Sequence, residues 1–328
     1  MTSGFLGRTL LVAGAFAIAS SQAIAQQVAD EVSIVVFGPP SLGAFLPPII
    51  KAQGLDTKHG LDITFVERTP DAYTAQFNSG EFQVGGSAAL LTVGLAEARG
   101  VKATYLFNLF DFWGAVVTSN DEVQTLADLQ GKDLAAAAGT TNYVMFNWFA
   151  RQQGIDTSNV SIVNTATPGL VGYAMANRAA AVQLWEPAYT SLLAQRPETR
   201  TLDLKIQDAW SEFAGSTNIP YLGVAAHASW VEENEALVPR LYAAYKDAAD
   251  WVSANPEEAA EVIGAKGTPE VRKNYADLIR NNDRLGLNVQ WAGDVATEIR
   301  KVYEAGTSID YLPSMPTDAT IYSGSEKP

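Results

Sequence analysis

The 328-residue chain contains no cysteine, two histidines, and 22 Lys and Arg against 36 Asp and Glu. Without thiols, neither a disulfide framework nor a thiolate metal site can form, so stability has to come from a packed core. His59 stands in a Lys-His-Gly loop and reads as a surface residue; His227 follows an apolar strand and reads as structural. There is no G-x-S-x-G elbow, no His-x-x-x-His pair and no Gly-rich phosphate loop carrying a Lys, which removes the common hydrolase, zinc-protease and nucleotide-binding signatures. A formal net charge of −14 at pH 7 argues against nucleic acid or anionic lipid as a partner, because both require a basic face. The acidity itself reads as solubility. No apolar stretch beyond the N-terminus approaches the roughly 18 residues of a membrane helix.

What the chain does have begins at its N-terminus. Arg8 precedes an apolar run from Leu10 to Ala19, and Ala23-Ile24-Ala25 supplies small residues at the spacing a signal peptidase cuts. The run is too short to span a bilayer, so residues 1–25 read as a cleaved signal peptide. No Cys follows that could carry a lipid. The expected product is exported and soluble, with about 300 residues, enough for two lobes with a real core.

Beyond the leader, short apolar strands alternate with helix-like stretches, the pattern of an α/β protein. Glu31–Phe37, Leu61–Val66, Phe82–Gly85 and Val101–Phe110 read as strands, followed by Trp113–Ser119, Lys132–Ala138, Val160–Val163 and Ala180–Leu184. From Trp230 to Ala305 the pattern reads as helical, with Asn255-Pro256-Glu257-Glu258 as a cap, an N1 proline and two acids matched to the helix dipole. A repeat divides the chain. Strand, Gly38, helix and Gln53-Gly54-Leu55-Asp56 are echoed by strand, Gly139, helix and Gln153-Gly154-Ile155-Asp156. Two similarly wound lobes are expected: lobe 1 over residues 28–117 and 222–328, lobe 2 over residues 118–221.

In open parallel sheets, ligands sit beyond the carboxyl ends of strands, against helix N-termini. Six strand-to-helix turns qualify: Gly38–Phe45, Gly85–Ala89, Phe110–Gly114, Gly139–Tyr143, Thr165–Leu170 and Trp185–Tyr189. They are rich in Gly, hydroxyls and aromatics, and none carries Lys or Arg. Ser41, Ser87, Thr140 and Thr141 are candidate donors to a ligand; Phe45, Trp113, Tyr143 and Trp185 offer flat apolar area; Asp111 and Glu186 supply charge. Taken singly, such hydroxyls cap helices and such aromatics fill cores. The composition shared by all six turns is what favours a ligand cleft.

Several segments resemble the periplasmic substrate-binding proteins of nitrate, taurine and aliphatic-sulfonate ABC importers, a family that includes binders of thiamine-pyrimidine precursors. They are Ala52-Gln53-Gly54-Leu55 with Lys58-His59-Gly60-Leu61-Asp62-Ile63, Phe77 to Val84, Leu126-Ala127-Asp128-Leu129-Gln130-Gly131-Lys132, and the strand Ala181-Val182-Gln183-Leu184 ending in Trp185-Glu186-Pro187. The resemblance runs roughly from Val32 to Trp251. It implies a two-lobed periplasmic binding protein of type II, each lobe a mixed sheet flanked by helices, with a cleft between. It further implies a monomeric, non-enzymatic, periplasmic carrier, without cofactor or metal, that hands a small molecule to a membrane permease and its ATPase. The chain should cross between lobes near Phe110–Ser119 and near Ala214–Leu222. It departs from the family pattern at Gln83, where Asp is common, and at Asp56, where an aromatic is usual.

With no cation in the six turns, nitrate or a sulfonate would depend on helix N-termini and hydroxyls alone. Aromatics together with Asp111 and Glu186 suit a neutral or weakly basic, flat, hydrogen-bonding solute, with pyrimidine-like compounds ahead of inorganic anions. Two alternatives share these features: an exported receptor or sensor with the same cleft, and a periplasmic enzyme working through Asp111 and Glu186 as paired carboxylates.

Overall fold

The computed structural model describes residues 1–2 and 29–324, so the apolar run and cleavage segment of the expected leader lie outside the described residues. The chain lays down β1 (Asp30–Phe37), β2 (Leu61–Arg68), β3 (Val84–Ala89) and β4 (Ala103–Asp111) in one sheet. It then builds β5 (Ala115–Thr118), β6 (Asp133–Ala136), β7 (Ser161–Asn164), β8 (Ala181–Leu184) and β9 (Arg200–Leu202) in a second. Finally β10 (Pro220–His227) and β11 (Leu287–Trp291) return to the first. The two passages between sheets are Phe112–Gly114 and residues 203–219.

The sequence repeat has an architectural counterpart. Read from one edge, the first sheet runs β2-β1-β3-β10-β4-β11 and the second β7-β6-β8-β5-β9. In each, the first three strands are parallel and the fourth is antiparallel to both neighbours. The matching Gln-Gly pairs close equivalent helices, Leu46–Ala52 and Thr141–Gln152, and both Gly54 and Gly154 have positive φ, 62° and 71°. Their N–H groups donate to the carbonyls of Lys51 and Arg151.

Strands β1 and β3 read as near-continuous apolar or small residues because both faces are covered by helices. One core runs through both lobes. Phe112, in the first passage, stacks on Phe149 at 5.8 Å and meets Tyr221 edge-on at 5.8 Å. Beside it Trp148 and Trp210, both fully buried, cross at 5.6 Å. The helix Thr141–Gln152 packs on Leu90–Ala98 and Ala296–Ser308, so the lobes share apolar surface at their junction. A smaller cluster of Leu170, Val182, Leu184, Tyr189 and Leu192 lies apart from it in the second lobe.

The structure corrects two expectations and accounts for a third feature. Leu287–Trp291 is a strand on the edge of the first sheet, not helix; its period-two burial spans only five residues and is hidden among helical neighbours. Asn255 precedes the helix Pro256–Ile263, but its side-chain amide donates back to the Trp251 carbonyl and caps nothing ahead of it. Asp56, where the resembled family usually has an aromatic, is 1% exposed and accepts from Lys51 Nζ at 2.5 Å and from the N–H groups of Thr57 and Ile63.

Candidate ligand-binding site

Where β4 ends, the chain leaves the first sheet, and Asp111 is its last strand residue. The N–H of Asp111 donates to the Gly286 carbonyl at 2.7 Å, tying β4 to the turn before β11. Gly286 has φ +67°, and a Cβ there would lie 2.5 Å from the Asp111 carbonyl oxygen. Only glycine allows so close an approach in this conformation. These elements, with the exit of β9 and both passages between sheets, enclose a cavity of about 860 Å³. Its wall includes Asp111, Trp113, Asp203, Lys205, Asn218 and Asn288, so both lobes contribute.

The Asp111 carboxylate is held by two amides: Asn108 Nδ2 donates to Oδ1 at 3.0 Å and Asn288 Nδ2 to Oδ2 at 2.7 Å. Burial pushes this carboxyl up to about 6, with Glu298 adding a like charge and the two amides opposing. Behind it runs a buried polar chain. Tyr105 Oη donates to Asn108 Oδ1 at 2.8 Å, and the Tyr221 N–H donates to the same oxygen at 3.2 Å. Asn142 Nδ2 donates to Tyr221 Oη at 2.7 Å, and Gln183 Nε2 donates to the Asn142 carbonyl at 2.7 Å. This chain crosses from β8 in the second lobe to the cavity wall in the first. A fully buried network of this kind penalises any arrangement that leaves its members unpaired.

A second bridge joins the lobes. Glu186, 1% exposed, accepts from the Thr190 N–H at 3.1 Å and the Thr190 hydroxyl at 2.9 Å. Arg284 from the first lobe brings Nε to 3.6 Å from the same carboxylate and lies over the Tyr189 ring at 5.5 Å. Tyr189 meets Trp113 edge-on at 4.9 Å, which connects this bridge to the cavity wall. The helix Pro269–Arg280 packs on Ala188–Gln195 alongside. Burial raises the Glu186 carboxyl above its ordinary value, while Thr190 and the Arg284 charge pull it back.

The ten residues selected from sequence therefore separate. Asp111 and Trp113 line the cavity, and Glu186 stands next to it through Tyr189 and Arg284. Ser41 accepts from the Gly43 N–H at 3.2 Å, and Ser87 is buried and accepts from the Phe37 N–H at 2.9 Å. Thr140 caps its helix by accepting from the Tyr143 N–H. Phe45 is 2% exposed and packs between Phe110 and Tyr275, a core residue and not a flat platform. Tyr143 tilts on Phe146, Trp185 is half-buried against the smaller core, and Thr141 is buried with its hydroxyl unpaired among the described residues. Asp111 and Glu186 are held by different partners, Asn108 and Asn288 for the first and Thr190 with Arg284 for the second. Both histidines have structural duties: His227 Nε2 lies 2.7 Å from the Phe77 carbonyl and His59 Nε2 2.7 Å from Asp247.

Sequence reading missed Arg284, Asn108, Asn288, Asn142 and Tyr221. The six turns carry no Lys or Arg; the cations near the cavity come from other segments, Lys205 on its wall and Arg284 beside Glu186. Arg284 has no local signal, being 98 positions from its partner in a stretch that looks helical.

A family model described as NMT1/THI5 like matches residues 50–259, well over half of the chain. The chain belongs to the NMT1/THI5-like family. Among curated relatives of this NMT1/THI5-like chain, a protein of Brucella abortus (strain 2308) named as a binding protein is 24% identical over 228 residues. That match covers 67% of this chain and 66% of the relative, just under two thirds of the relative's own length. The periplasmic aliphatic sulphonate binding protein SsuA from Escherichia coli superposes with a TM-score of 0.69 at 16% identity, over 88% of this chain and 95% of that one. The alkanesulfonate-binding protein SsuA from Xanthomonas axonopodis pv. citri, bound to MOPS, gives 0.68 at 16%, over 88% and 96%. At such identities the likeness establishes the fold, which is that of the two-lobed periplasmic binding proteins. Among the described residues no helix is long and apolar enough to cross a membrane, and no group of three or more His, Cys, Asp or Glu is placed to hold a metal.

Proposed function

We propose that this chain is the solute-binding component of an ABC-type importer. It is exported to the periplasm, works as a monomer without catalysis, and delivers a small organic molecule to a membrane permease and its ATPase. The observation that carries this reading is the cavity at the lobe junction, walled by residues of both sheets beside the Arg284–Glu186 bridge. An occupant contacting both walls stabilises one relative arrangement of the lobes, and that population is what a permease can recognise. A cavity of this volume falls in the range of small-molecule sites, about 300–1,000 Å³. The solute we favour is flat, hydrogen-bonding and neutral or weakly basic, of the pyrimidine-like type, because Trp113 offers a ring and the acidic wall disfavours anions.

A thermal-shift screen over pyrimidines, aromatic amines, flavins, sulfonates, taurine and nitrate tests the proposal. A solute at about 100 times its Kd stabilises the folded state by about 2.7 kcal/mol, enough to raise the melting temperature by several degrees. Binding by the heteroaromatics without response to sulfonates is the expected outcome. Tight nitrate or taurine binding alone sinks the solute assignment, and turnover of any bound compound sinks the carrier assignment.

A further inference from the structure

The Asp111 carboxylate lines the cavity with neutral partners only. Asn108 and Asn288 each donate one hydrogen bond, and among the described residues no Lys, Arg or His pairs with it. Carboxylates removed from bulk water are ordinarily matched by a cation, because two neutral donors leave most of the desolvation cost uncompensated. The nearby cations face other carboxylates. Arg284 bridges to Glu186, and Lys205 on the cavity wall stands 4.0 Å from Asp203. From these observations we infer that the solute carries a protonated nitrogen, ammonium or amidinium, that pairs with Asp111 beside the ring of Trp113.

This inference rests on the carrier reading and sharpens it from a flat organic solute to an organic cation. Each Asp111 oxygen has a second lone pair beyond the one its amide occupies, so an ammonium or the two N–H groups of an amidinium can be accepted without displacing Asn108 or Asn288. A cation near an aromatic face gains a further electrostatic contribution that a neutral isostere lacks. Asp203, Asp208 and Asp283 also stand on the cavity wall, giving it the sign that attracts a cation and repels a sulfonate. Burial, the main cause of the raised Asp111 carboxyl, leaves its charge poorly solvated at the cavity wall.

The test uses calorimetric titration of the full mature chain with two matched probes, benzamidinium and benzamide, which share shape and differ in charge. Putrescine and benzenesulfonate extend the series. The inference expects a cationic probe to bind at least tenfold more tightly than benzamide, and Asp111→Asn to bring the two within about twofold of each other. Because the comparison between probes is made on the unaltered protein, it decides the matter even where the variant fails to fold. Equal binding of benzamide, or tighter binding of benzenesulfonate than of either cation, overturns the inference while leaving the carrier reading intact. Silence towards both cations overturns it as well. Silence across the wider solute screen removes the carrier reading too.

Discussion

Replacing Arg284 by Gln tests whether the lobes are held together across the cleft by charge. The guanidinium lies 3.6 Å from a carboxylate that is 1% exposed. At an effective dielectric of about 20, two unit charges at that distance attract by about 4–5 kcal/mol. Desolvating Glu186 and ordering the Arg side chain offset much of this, and the Tyr189 ring returns about 0.5–1 kcal/mol. A net cross-lobe contribution of about 1.5–2 kcal/mol follows, close to a tenfold to thirtyfold shift towards the open form. Small-angle scattering of the unliganded protein should show a larger radius of gyration in Arg284→Gln. A double-mutant cycle with Glu186→Gln in denaturant should return a coupling energy of at least 1 kcal/mol. The sign with pH is fixed by Glu186, whose carboxyl is raised by burial and lowered by Arg284. Losing the guanidinium raises it further, so the variant's deficit is largest at neutral pH and fades in acid as Glu186 becomes protonated. A coupling near zero, together with unchanged scattering, would refute the idea that this bridge governs closure.

Asp111 titrates near 6 in the folded chain against 3.8 as the reference, so the folded state binds the proton more tightly and stability falls as pH rises from about 4 to about 6. That segment should be worth about 3 kcal/mol in pH-dependent denaturant melts and should flatten in Asp111→Asn. Gly286→Ala combines a left-handed φ with backbone contact to Asp111 and should cost about 2–3 kcal/mol by chemical denaturation, with weaker solute binding. Burial alone would raise Asp56, but Lys51 and the N–H groups of Thr57 and Ile63 together hold it below the usual range. Asp56→Ala should therefore cost about 2–3 kcal/mol at neutral pH, and the difference from the unaltered chain should vanish as pH falls through the Asp56 titration; a constant difference would count against the pairing. Tyr221→Phe removes the acceptor for Asn142 and should lower stability by about 1–2 kcal/mol in denaturant melts while loosening lobe closure in scattering.

Much of the architecture was legible because it is written in short-range patterns. β-branched runs announce buried strands, Gly54 and Gly154 mark equivalent helix ends, and the doubled Gln-Gly segment signals two lobes with the same strand order. Asp111 and Trp113 were legible as candidates for a cavity wall because they occupy the turn where β4 leaves its sheet. For Ser41, Ser87, Thr140 and Phe45 the structure supplies capping, backbone or core partners that the sequence could not rank against ligand contact. Capping and core packing use the same residue types as ligand contact, and only three-dimensional neighbours distinguish them.

Composition and local periodicity by themselves settle that this chain builds an α/β body on packing alone, without disulfides, in two related halves. Tertiary structure alone decided which side chains face the junction. Arg284 and Glu186 lie 98 positions apart, and Asn288 reaches Asp111 across 177. Such pairings depend on where two separately wound sheets meet, and nothing in the chain near either residue encodes the distance between them.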